Sequence, residues 1–141
     1  MVTLGNDIIT VSVKEHGAEL CSIRKCETEY LWQADPAFWA RHSPVLFPIV
    51  GSVWEGKFRV DGKEYSMGMH GFARKSVFSL VEATDTSVTL SLKANETTKE
   101  MYPFDFELRA SYTLENKSLK VSYSVKNCSD ETMYFSVGAH E

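Results

Sequence analysis

The sequence predicts an all-β protein built as an antiparallel sandwich or barrel. Residues 106–114, FELRASYTL, alternate apolar and polar without a break, and residues 119–125, LKVSYSV, repeat the pattern. A period of two puts one face of each strand in a core. Turn dipeptides rich in Gly, Asn and Asp separate further short β runs along the chain, the spacing expected of a many-stranded antiparallel sheet. Only DPAFWARH, 35–42, has helical character, and for two turns at most.

Taken in order, the first strands fall at 8–13 and 18–24. In DPAFWARH, Asp35 is suited to capping and Pro36 to the first helical position. The segment ARHSPVLFPIVG follows an extended path fixed by Pro44 and Pro48. KFRVDGKEYSM reads as a hairpin, because Asp61-Gly62 suits a type I′ turn. Strands follow at 76–83 and 87–93. The alternating runs 106–114 and 119–125 pair across Asn116-Lys117. The last strand spans 132–139, with Met133, Phe135, Val137 and Ala139 on one face and Tyr134, Ser136, Gly138 and His140 on the other. There is no repeat, no low-complexity stretch and no linker, so residues 1–141 form one domain.

The bulk numbers agree. The chain is 43% hydrophobic and 24% charged, with a net charge of −4. That composition supports a core. It offers no basic stripe, so no nucleic-acid partner is expected. No apolar run reaches membrane-spanning length, so no membrane partner is expected either. The start, MVTLGNDIITVSV, lacks the features of a signal peptide. Cys21, Cys26 and Cys128 are an odd count without zinc spacing, read as reduced thiols of a cytoplasmic protein. The N-x-[ST] triplets at Asn95, Asn116 and Asn127 are read as chance.

The histidines carry the candidate chemistry. In SMGMHGFARK, 66–75, His70 lies between glycines, which marks a backbone held close to something. Arg74 follows four positions later, and its fork suits a phosphate or vicinal hydroxyls. Spacing alone leaves this pair open between a turn histidine with a surface arginine and a site. His140 falls on the polar face of the last strand, compatible with a site or with a solvated strand end. His16, in KEHGAEL, reads as structural. Trp39, Phe47 and Trp54 give the segment around His42 an aromatic mass that suits a core or a sugar platform. His70, His140 and Glu141 have no local metal-ligand spacing, so no metal site is assigned.

ARHSPVLFPIVG, MHGFARKSVFSL, MYPFDFELRASYTLENKSLKVSYSVKN and YFSVGAHE, in that order, resemble the aldose 1-epimerase (galactose mutarotase) family. The similarity is strongest to the branch with an HGFAR-type segment, which includes hexose-6-phosphate 1-epimerases. It runs through the whole chain and matches the N-terminal half of a typical member. The resemblance implies an antiparallel β-sandwich of the galactose mutarotase type that binds sugar on a concave face. It implies cofactor-independent interconversion of the α and β anomers of a hexose or hexose phosphate. By resemblance His140 is the acid that protonates the ring oxygen, His70 binds and polarises the sugar, and Arg74 contacts substrate. Histidine suits acid catalysis because it titrates near neutrality.

Two departures stand out. The family's base is a glutamate far downstream, and Glu141, directly after His140, does not match it. Many members carry an arginine where this chain has Ser52, leaving Arg41 and Arg59 as substitutes. Three readings therefore compete: an epimerase whose base lies elsewhere, a non-catalytic carbohydrate-binding module, and a protein that assembles through an open sheet edge after residue 139. The last includes a homodimer or pairing with a C-terminal half, and an apolar PVLFPIV run left exposed would favour it.

Overall fold

A computed structural model describes residues 1–140. Strands β1 (Val2–Gly5), β2 (Thr10–Val13), β3 (Leu20–Lys25) and β4 (Thr28–Glu29) form one antiparallel sheet in that order. After the short β5 (Val45–Leu46) comes the hairpin of β6 (Lys57–Val60) and β7 (Lys63–Ser66). A second four-stranded sheet holds β8 (Ser79–Ala83), β9 (Ser87–Lys93), β10 (Phe106–Glu115) and β11 (Ser118–Asn127), ordered β11-β10-β9-β8. One helix, α1 (Glu96–Met101), links β9 to β10, and β12 (Gly138–Ala139) pairs with β5. Among the described residues no helix is long and apolar enough to cross a membrane.

The two larger sheets share one core, to which β1–β3 give Leu4, Val11, Val13 and Leu20, and β9–β10 give Val88, Leu90, Leu108, Ala110 and Tyr112. The alternation read in 106–114 is thus the inward face of β10. The Tyr112 hydroxyl donates to the Ala18 carbonyl at 2.7 Å, tying the sheets inside the core. Asp61 (φ 48°) and Gly62 (φ 78°) are both left-handed, as a type I′ turn requires.

Three expectations need correction. DPAFWARH forms a single turn, not a helix of two turns. The Asp35 carbonyl accepts from Phe38 and Trp39, the Asp35 carboxylate accepts from Ala37, and the chain then runs on extended toward the buried Ser43–Phe47 stretch. The helix lies instead at 96–101, where Asn95 and Thr98 close a reciprocal capping box. The strand at 132–139 shrinks to Gly138–Ala139, because only there does the segment meet a partner strand. Its regular two-faced alternation is lost with it. Finally, Pro44, Val45, Leu46 and Phe47 of PVLFPIV are buried rather than left as an exposed run.

The three N-x-[ST] asparagines have local backbone work. Asn95 caps the helix, Asn116 takes the left-handed conformation at the β10–β11 turn, and Asn127 accepts from the Ser129 amide while donating to the Glu131 carbonyl. Cys21, Cys26 and Cys128 are free thiols.

Candidate functional site

His70 is set by its backbone before its side chain acts. His70 (φ 63°) and Gly71 (φ 68°) are consecutive left-handed residues in the turn after β7. Such a conformation is unfavourable for a side-chain-bearing residue and is sustained by its surroundings. Here those are hydrogen bonds to the 47–51 segment. The His70 amide donates to the Gly51 carbonyl at 2.7 Å, and the Gly51 amide donates to His70 Nδ1 at 2.9 Å. Phe72 and Ala73 both donate to the Phe47 carbonyl, at 3.0 and 3.2 Å. Any Cβ at position 71 would collide with the Phe47 carbonyl and the Pro48 ring, so glycine is required. The glycine after His70 therefore marks a close backbone approach, whereas Gly68 has open space around it.

Because Nδ1 accepts from Gly51, the neutral ring carries its proton on Nε2 and presents an N–H donor there. Burial first, then the charges of Arg74 and His140, hold the His70 pKa below its ordinary value.

Arg74 lies in the short turn Ala73–Lys75, directly after this bend. Its guanidinium Nη2 donates to the Met69 carbonyl at 2.8 Å, while its Nε is buried without a partner among the described residues. The KEHG turn braces it from behind. Gly17 donates to the Ser76 carbonyl at 2.7 Å, and a side chain at 17 would stand 3.0 Å from the Arg74 carbonyl oxygen. His16 is exposed and bridges Val77 through its backbone, as a structural turn residue does. Burial and then the charge of Arg41 work against the protonated form of Arg74.

His140 emerges from β12 on the exposed side. Its ring centroid lies 6.3 Å from that of His70, edge to face, and 4.6 Å from that of Trp39. The fold thus brings together all three predicted residues, distant in sequence. It adds Trp39, offered by the sequence as part of a core or a sugar platform, and Arg41, offered there as a substitute arginine. The three aromatics grouped there separate: Phe47 is core, Trp54 is 85% exposed, and Trp39 backs His140. The signal that pointed to Arg41 was Ser52. That residue follows Gly51, the partner of His70, and supplies no guanidinium. Arg59 instead pairs with Glu64 at 3.4 Å on the β6–β7 hairpin.

The segment bearing Trp39 and Arg41 is pinned at its far end by Glu19. This nearly buried carboxylate accepts from the His42 amide at 2.9 Å and lies 3.6 Å from Lys14 Nζ. Burial and then Lys14 lower the His42 pKa, against an opposing pull from Glu19 and Glu29. Among the described residues no group of three potential ligands could hold a metal ion, and Glu141 lies outside them.

The sequence profile that describes aldose 1-epimerases matches residues 1–141. The chromosomal protein LacX of Lactococcus lactis subsp. lactis is 42% identical over 147 aligned residues, covering 99% of this chain and 49% of that protein. The solved galactose mutarotase related enzyme from Lactobacillus acidophilus superposes with a TM-score of 0.97 at 46% identity, covering 99% of this chain and 47% of its own. A galactose mutarotase-like protein from Lactobacillus casei gives 0.95 at 35% identity, with 99% and 48% covered. The chain spans about half the length of these relatives, and its two sheets are a galactose mutarotase-like β-sandwich architecture. With the match extending from the first residue to the last, the chain belongs to the aldose 1-epimerase family.

Proposed function

We propose that this chain carries the acid and sugar-binding half of a mutarotase that interconverts the anomers of an aldohexose or hexose phosphate. The observation that carries the reading is the meeting of His70 and His140 on one face, ring centroids 6.3 Å apart, with Arg74 beside them. His140 donates a proton to the ring oxygen as the bond from that oxygen to the anomeric carbon breaks. A base removes the anomeric hydroxyl proton, and the open-chain aldehyde forms. Rotation and the reverse steps give the other anomer. His70, with its proton on Nε2, donates a hydrogen bond to a sugar oxygen. Arg74 holds a hydroxyl or a phosphate oxygen through its fork.

We assign the base to the second half that the relatives' chains contain, which this chain's match leaves uncovered. Two features suit that half as a partner. Strand β11, ten residues long, ends its sheet, and among the described residues no strand lies on its other side. Exposed Tyr134 and Phe135 border an apolar groove of Pro48, Ile49, Val53 and Phe58.

Polarimetry of freshly dissolved α-D-glucose and α-D-galactose tests the reading, with saturation-transfer NMR of the same sugars as the binding measurement. The expected result is sugar binding that weakens in His70→Ala, and any acceleration of mutarotation falling about 10²- to 10⁴-fold in His140→Ala. Binding that survives both substitutions unchanged would remove these residues from the site. Binding that depends on His70, with no acceleration in the presence of the relatives' second half, would favour the carbohydrate-binding module.

A further inference from the structure

We infer that Trp39 is the positioning residue for His140, setting the plane of its imidazole on the face shared with His70. The inference rests on the role proposed for His140, and its physical basis is how little else holds that ring. Among the described residues the His140 side chain has ring contacts with Trp39 and His70 and no hydrogen bond. The strand that delivers it is two residues long. The second side-chain torsion of histidine has broad wells, so a ring without hydrogen bonds takes its plane from what packs on it. The indole of Trp39 lies 4.6 Å away at an interplanar angle of 35°, close enough to restrict that rotation. His70 meets the ring only edge-on, at 80°.

A positioning surface needs a fixed backbone behind it, and the backbone around Trp39 is held at three points. Its amide donates to the Asp35 carbonyl at 2.9 Å. Its carbonyl accepts from the indole N–H of Trp32 at 2.9 Å. Three residues on, the His42 amide is held at 2.9 Å by the nearly buried Glu19. The turn at 35–39 and the Glu19 carboxylate thus work together to present one indole face to His140. An acid that must deliver a proton along one direction loses rate steeply when its ring is turned away, since a misplacement of about 1 Å costs about 10²-fold.

The test is a ring-current measurement, with no need for turnover. Imidazole carbon-bound protons of His140 are assigned with His140→Asn and followed in wild type, Trp39→Phe and Trp39→Leu. The expected result is that the His140 protons lose their ring-current displacement in Trp39→Leu and keep part of it in Trp39→Phe, while His70 protons stay in place. Unchanged His140 signals in Trp39→Leu would overturn the inference. So would equal movement of the His70 signals and the core amides, which would make Trp39 a general packing residue. A parallel aldohexose titration separates the two levels. No sugar binding in wild type, together with the His140-specific shift, sinks the functional reading and leaves the positioning contact standing.

Discussion

Residues 66–75 and residues 132–140 each bring one histidine to the same face, and they are held by opposite means. The first is tied down by backbone. His70 exchanges two hydrogen bonds with Gly51, and the next two residues after Gly71 both bond the Phe47 carbonyl. The second is held at scattered points along its length, with the Tyr102 hydroxyl donating to the Tyr134 carbonyl at 2.8 Å and the Phe135 ring 6.0 Å from that of Phe47. The Ser136 amide donates to the Pro48 carbonyl, Gly138–Ala139 pair with β5, and the His140 ring rests on Trp39. A group held by many short-range backbone bonds is placed by the fold itself. A group at the end of a two-residue strand is placed by a few distant side chains. The difference separates a residue suited to binding in a set geometry from one whose orientation depends on its neighbours.

The largest effect should come from Gly71→Ala. The added methyl meets the Phe47 carbonyl and also forces a left-handed alanine, and these terms together cost about 3 kcal/mol. Chemical denaturation measures it, and a variant as stable as wild type would mean the 66–75 bend has room to spare. Removing the core tie between the sheets is next. Tyr112→Phe leaves the buried Ala18 carbonyl without its hydroxyl partner and should cost about 1–3 kcal/mol, with the His70 resonances undisturbed. Ser136→Pro removes the amide that bonds Pro48. It should cost only about 1 kcal/mol, yet broaden or shift the His140 signals while sparing those of His70. Equal disturbance of both histidines would abolish the contrast between the two segments.

The smallest effect concerns pH. His70 and His42 both have pKa values held below the ordinary 6.5, so the unfolded chain binds protons more readily than the folded one. Stability is then full above 6.5 and declines as the pH falls below it. Protonation of His70 also removes the acceptor used by the Gly51 amide. Replacing both with glutamine should flatten the decline, as read from melting temperature against pH. An unchanged slope would show that carboxylates alone govern the acid limb.

The parts of the fold that were readable are those whose signal is local. The β10–β11 pair announces itself through an uninterrupted period of two and a turn. The Asp61-Gly62 hairpin does so through two residues that tolerate a left-handed backbone. The misread parts depend on partners. DPAFWARH has a capping residue and a proline in place, yet the chain is drawn straight into the core after one turn. The helix at 96–101 went unread, although the spacing from Asn95 to Thr98 is that of a capping box. The alternation of 132–139 was genuine in the sequence, but a strand exists only where another strand lies beside it. Of the site, the glycines around His70 marked only a close backbone approach, and it was the resemblance that made His70, Arg74 and His140 candidate site residues. Trp39 and Arg41 surfaced only as alternatives, one in an aromatic mass and the other as a substitute arginine, because no spacing links them to residues 70 or 140.

By itself, the sequence determined the β class, the inward faces of the long strands, the hairpin turns, a close backbone approach beside His70 and the resemblance to the aldose 1-epimerases. These follow from backbone preferences and side-chain periods that act over a few residues. Tertiary structure alone decided that His140 meets His70, that Trp39 backs it, that Arg41 is felt at Arg74 and that Glu19 anchors the segment between. Those contacts join residues tens of positions apart, and their geometry exists only once the strands have packed and the loops have been drawn onto the core.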